Sequence, residues 1–122
     1  GDDDGAVTDD PHHVSVGLEN WEVVLSRSTV APGEVTFRAE HLDSHAHGSG
    51  GRIHDMVLFR LTADGSMELV ARSPELEQGE SATLTVDLAP GEYEVQCSIV
   101  EEVDGETVVH VKEGMAARLT VT

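Results

Sequence analysis

Apolar residues recur at every second position in short runs along this chain, the period of a half-buried β-strand. Val35, Phe37 and Ala39 share one face, Leu84, Val86 and Leu88 a second, and Tyr93, Val95, Cys97 and Ile99 a third. VSVGLENWEVVLS predicts one or two strands near the start, HDMVLFRLT and SMELVARS two more, and AARLTVT a closing one. Between the runs stand Pro32-Gly33, Asp64-Gly65 and Pro90-Gly91, dipeptides that reverse the chain. No segment keeps a helical period, and PELEQGE predicts a single turn at most. Short strands at this spacing predict an all-β fold, a two-sheet antiparallel Greek-key sandwich or barrel.

The pattern begins only after the opening residues. GDDDGAVTDDP has no apolar face and a dense run of aspartate, which predicts a disordered acidic linker over 1–12 and one folded domain over 13–122. His12 and His13, beside Pro11, read as the margin of that linker. The stretch is also similar to the spacer that follows the acylated cysteine of lipoproteins. On that reading the domain is exported, periplasmic or extracellular, and meets a membrane only through a lipid anchor upstream.

Composition narrows the choice of partner. With 24 acidic residues against 7 basic ones, the formal net charge is −17, and Lys112 is the single lysine. Nucleic acid is excluded as a partner, because binding it rests on neutralising phosphates with Lys and Arg. The charge fits either a surface adapted to high salt or a redox protein partner with a basic face. Aromatics make up only 3% of the 122 residues, so the core must be built mainly from Val, Leu, Ile and Ala. That length buries one core without disulfides or an oligomeric interface, and a monomer is expected. The lone cysteine rules out an internal disulfide.

That cysteine has company. His54 opens a hydrophobic strand, Cys97 follows one, and His110 and Met115 come next with four residues between them. Two imidazoles and a thiolate in a trigonal set, with a weak axial thioether, are what a blue-copper centre requires. Taken singly, Cys97 reads as a small buried hydrophobe, the histidines as strand-end residues and Met115 as core filler. The candidate metal ligands are therefore His54, Cys97, His110 and Met115 as a set. His41, His45 and His47 read as solvated or as supporting the ligands rather than as a second metal site. Glu101 and Glu102 read as a solvated face.

At these positions the sequence resembles the cupredoxin family. The matching features are Pro32-Gly33-Glu-Val-Thr-Phe after an early strand, the loop that ends in His54, the Leu-Ala-Pro-Gly-Glu-Tyr approach to Cys97, and His110-x4-Met115 leading into a final strand. The resemblance covers residues 14 to 122. It implies a sandwich with one mononuclear type 1-like copper ion at one end, His54 arriving from the other sheet and the remaining ligands on the last loop.

Two departures stand out. Twelve residues separate Cys97 from His110 where members commonly have a few, and His41 stands near where the family usually offers an asparagine. The inserted residues read as a hairpin around Asp104-Gly105, a dipeptide suited to a two-residue type I′ turn. Pairing Val103 with Glu106 sets Ile99 opposite His110 and Cys97 opposite Lys112. The hairpin then projects beside the metal and returns His110 to Cys97.

The function this implies is single-electron transfer by an extracytoplasmic copper protein, with the histidine nearest the surface as the exit. Without an open coordination position beside an acid or base, no enzymatic turnover is expected. Two alternatives stay open: a copper carrier, sensor or storage protein, and a metal-free ligand-binding or adhesion sandwich.

Overall fold

In the computed structural model the described residues are 12–19, 22–42, 53–103 and 105–122. Residues 1–11 of the expected linker, His45, His47 and Asp104, on which expectations were placed, lie outside them. Two sheets hold the core. One has the order β2-β1-β4-β9 and is built from β1 (His13–Glu19), β2 (Glu22–Leu25), β4 (Gly33–His41) and β9 (Ser81–Leu88). The other, β3-β13-β10-β6-β7, comprises β3 (Thr29–Val30), β6 (Val57–Leu61), β7 (Met67–Arg72), β10 (Gly91–Gln96) and β13 (Ala116–Val121). Most pairings are antiparallel, while β1 runs parallel to β4 and β3 to β13.

The inward faces are the ones the alternation marks. Val14, Val16 and Leu18 of β1 and Val35, Phe37 and Ala39 of β4 meet Leu58, Tyr93, Val95, Leu119 and Val121 of the other sheet in a single buried cluster. His13 opens β1 and pairs with Thr36, and the His12 imidazole reaches the Pro32 carbonyl at 3.2 Å, so the sheet begins where a linker margin was expected. No helix among the described residues is long and apolar enough to cross a membrane.

Two small ladders stand apart from the main sheets. β5 (Ile53–His54) pairs with β8 (Leu76–Glu77), so the Pro74–Glu80 segment carries a short strand rather than a helical turn. Its turn is clamped to the end of β4, where Gly79 N–H donates to His41 O and His41 N–H to Glu80 O, both at 2.9 Å. β11 (Val100–Val103) and β12 (Glu106–Val109) form the expected hairpin, with Val103 opposite Glu106 and Gly105 at φ +83°, a conformation that favours glycine.

Beyond Val109 the ladder ends in a 3₁₀ turn, His110–Glu113, closed by Gly114 at φ +121°. That turn takes up chain length, so Cys97 faces Met115 instead of Lys112: Cys97 N–H donates to Met115 O at 3.2 Å. The expected pairing of Ile99 with His110 is present, through His110 N–H to Ile99 O at 3.0 Å.

Candidate metal centre

Three inward rows of the core change from hydrocarbon to donor atoms at the same end of the sandwich. Along β10, Tyr93 and Val95 are followed two residues on by Cys97, just past the strand. Along β13 the row Val121, Leu119 and Ala117 runs back to Met115, just before it. Gln96 pairs with Ala116 and with Val57, so antiparallel register brings Met115 beside Cys97 on one side and the residues after His54 on the other. On β4 the row Val35, Phe37 and Ala39 ends at His41, which is buried.

His54, Cys97 and His110 are fully buried and bring three donor atoms together. His54 Nδ1 lies 3.1 Å from His110 Nδ1, while Cys97 Sγ lies 3.7 Å from His54 Nδ1 and 3.5 Å from His110 Nδ1. A triangle with these sides has its centre about 2 Å from every corner, the length of a metal–imidazole bond and a little under that of a metal–thiolate bond. The donor set of two imidazoles and one sulfur therefore fits a type 1 copper ion. Met115 is buried against the same end, and its N–H donates to His110 O at 3.3 Å.

His54 does not arrive from the other sheet. It leaves β5 directly into β6, a neighbour of β10, and the residue that the other sheet contributes is His41. The His41 ring lies 4.3 Å from the His54 ring, centroid to centroid, and its Nδ1 is 3.1 Å from Leu42 O. His41 thus supports the cluster from behind, in a role the sequence reading left open between solvent and support.

Electrostatics prepare the donors differently. Burial, reinforced by the neighbouring His41 and His110, holds the His54 imidazole down at about 3 against Glu101, which acts the other way. His54 is thus a neutral imidazole at neutral pH. Burial pushes the Cys97 thiol up to about 12, although N–H groups of Asp55 and Ile99 favour the thiolate. A metal must displace that proton.

Of two side chains beside the cluster, the sequence reading missed one and misplaced the other. Asp55, next to His54, is buried and accepts from both Ser98 N–H and Ser98 Oγ. Its neighbours His54, Met56, Val57 and Leu58 are all buried, and a carboxylate inside so apolar a run is the signal that marks it. Glu101, read as solvated, places Oε2 2.7 Å from His110 Nε2. Glu102 keeps to the outer face of the hairpin, where it accepts from Thr107 Oγ1. Neither His54 nor His110 reaches solvent.

A two-sheet sandwich whose core ends in a buried His-Cys-His cluster defines a cupredoxin-like domain. The likeness is direct: dithionite-reduced auracyanin from the photosynthetic bacterium Roseiflexus castenholzii superposes with a TM-score of 0.60 at 20% identity, over 90% of this chain and 94% of its own. A Cu-containing nitrite reductase from Thermus scotoductus SA-01 matches at 0.51 and 21% identity, over 89% of this chain and 22% of its own length. A purple cupredoxin from Nitrosopumilus maritimus aligns at 0.48 and 18% identity over 90% of this chain and 98% of its own. No protein-family profile matches the sequence, and no curated protein does. The chain has the cupredoxin fold.

Proposed function

We propose that the protein holds one copper ion through Nδ1 of His54, Sγ of Cys97 and Nδ1 of His110, with Met115 as a weak axial contact, and passes single electrons outside the cytoplasm. The observation that carries this reading is the fully buried triangle of donor atoms. Bound copper would supply a one-electron couple between Cu(II) and Cu(I). The protein contributes the rest. His54 and His110 offer neutral imidazole, Cys97 the thiolate, and a rigid β-sandwich holds them in place while burial excludes water.

Burial of all three donors favours retention of the metal over its delivery, which ranks electron transfer above carriage, sensing or storage. The net charge of −17 supports a redox partner with a basic face, whose association rate would fall as salt rises.

Adding Cu(II) to the metal-free protein tests the reading. An intense thiolate-to-copper charge-transfer band is expected in the visible, and Cys97→Ser abolishes it. A colourless product would leave the metal-free sandwich standing, and rapid loss of Cu(I) to a competing chelator would favour carriage.

A further inference from the structure

The hairpin inserted between Cys97 and His110 carries a carboxylate back onto the site. Glu101 is the second residue of β11, paired with Val108, and its Oε2 lies 2.7 Å from His110 Nε2, the span of a charge-assisted hydrogen bond. The opposite nitrogen of the same ring, Nδ1, faces Cys97 and His54. His110 is fully buried, so its outward nitrogen meets a carboxylate in place of water. An ionised carboxylate only accepts, and Nε2 must therefore be the protonated nitrogen.

We propose that Glu101 is the positioning residue of the metal centre: it holds the Nε2 proton of His110, presents the Nδ1 lone pair to the site, and by its charge favours the oxidised metal. A carboxylate behind a ligating imidazole fixes ring orientation and strengthens the donor, and the added negative charge stabilises Cu(II) more than Cu(I). The hairpin is thereby a tuning element of the site. The redox part of this inference rests on the copper reading above; the tautomer part does not.

Three variants separate contact from mere structure. Glu101→Gln keeps an acceptor for Nε2–H and removes the charge, Glu101→Ala removes both, and Glu102→Gln removes an equal charge from the same hairpin at a side chain bonded to Thr107. In the metal-free protein, nitrogen-15 NMR of His110 is expected to show the Nε2-protonated tautomer in the parent and in Glu101→Gln, and a mixture in Glu101→Ala. A parent His110 protonated on Nδ1 overturns the proposal whether or not copper binds.

With copper, Glu101→Gln is expected to weaken Cu(II) binding about tenfold relative to Cu(I), which raises the midpoint potential by about 59 mV. Glu101→Ala is expected to weaken Cu(II) binding by about 10- to 100-fold. An unchanged ratio of Cu(II) to Cu(I) affinity in Glu101→Gln, or an equal shift in Glu102→Gln, overturns the redox part. A parent protein that takes up no copper sinks the copper reading instead, and the NMR result then decides the role of Glu101.

Discussion

The carboxylate of Asp55 holds both the N–H and the hydroxyl of Ser98, each at 2.6 Å, so the residue after His54 is stapled to the residue after Cys97. The link is reinforced from both sides. Asp55 N–H donates to Cys97 Sγ at 3.5 Å, and Arg72 donates to Ser98 Oγ at 3.2 Å while its guanidinium stands 3.9 Å from the Asp55 carboxylate. Two ligand-bearing segments 43 positions apart in sequence thus share one buried acceptor.

Removing that acceptor breaks both bonds to Ser98, itself an exposed residue, and with them the link to the buried side of the site. Hydrogen bonds to charged groups contribute about 1.5–3 kcal/mol each and do not add fully, so Asp55→Ala should destabilise the metal-free protein by about 3 kcal/mol. Asp55→Asn keeps one acceptor and should cost about 1 kcal/mol. Urea unfolding checks both. Midpoints equal to the parent's would mean that the staple contributes nothing to stability.

Gly105 offers a test of the hairpin alone. It sits at φ +83° with open space where a Cβ would be, so Gly105→Ala meets no clash and bears only the backbone penalty, about 1–2 kcal/mol. The loss should fall on the hairpin, whose strands pair with no other described strand. Amide exchange at Glu101 and Val108 should quicken while that of Phe37 and Val95 in the main sheets stays slow. Equal acceleration everywhere would show that the hairpin is part of the cooperative core.

What the chain discloses in advance follows from which constraints are local. Period-two alternation is imposed by strand geometry, so the inward rows through Phe37 and Val95 are visible without coordinates, as is a hairpin register set by its two-residue turn. Cys97 and Met115 are in phase with those rows, and the cluster of His54, Cys97 and His110 follows from ligand chemistry once the resemblance is seen. The misplacements have non-local causes. The 3₁₀ turn at His110–Glu113 shifts the partner of Cys97, and β5 pairs with β8 over two residues each, too short a ladder for propensity to mark. Glu101 alternates with its neighbours as any hairpin carboxylate would; only the fold brings His110 to it.

The low proton affinity of His54 gives the metal-free protein an acid-sensitive fold. Burial keeps this imidazole neutral down to about 3, whereas in the unfolded chain it takes up a proton near 6.5. Between those values the unfolded state binds more protons, so stability declines as pH falls through that window. His54→Gln removes the titrating group. The fall in unfolding free energy from pH 6.5 to pH 4 should be smaller in the variant than in the parent, and identical slopes would assign the acid sensitivity to other groups.

Copper loading should release protons in a number that the site itself specifies. The Cys97 thiol, pushed up to about 12 by burial, is fully protonated between pH 6 and 8, so forming the thiolate contact expels one proton. His54, held at about 3, has no proton to lose on this account in the same range. Below the thiol's own titration, competition between one proton and the metal makes apparent Cu(II) affinity rise about tenfold per pH unit. A titration in weak buffer with an indicator dye counts the protons, and chelator competition at several pH values gives the slope. At least one proton, that of Cys97, and a slope of at least tenfold per pH unit are expected. A slope near zero would mean that the thiol is already ionised without metal, and hence that water or a cation reaches a sulfur that is buried here.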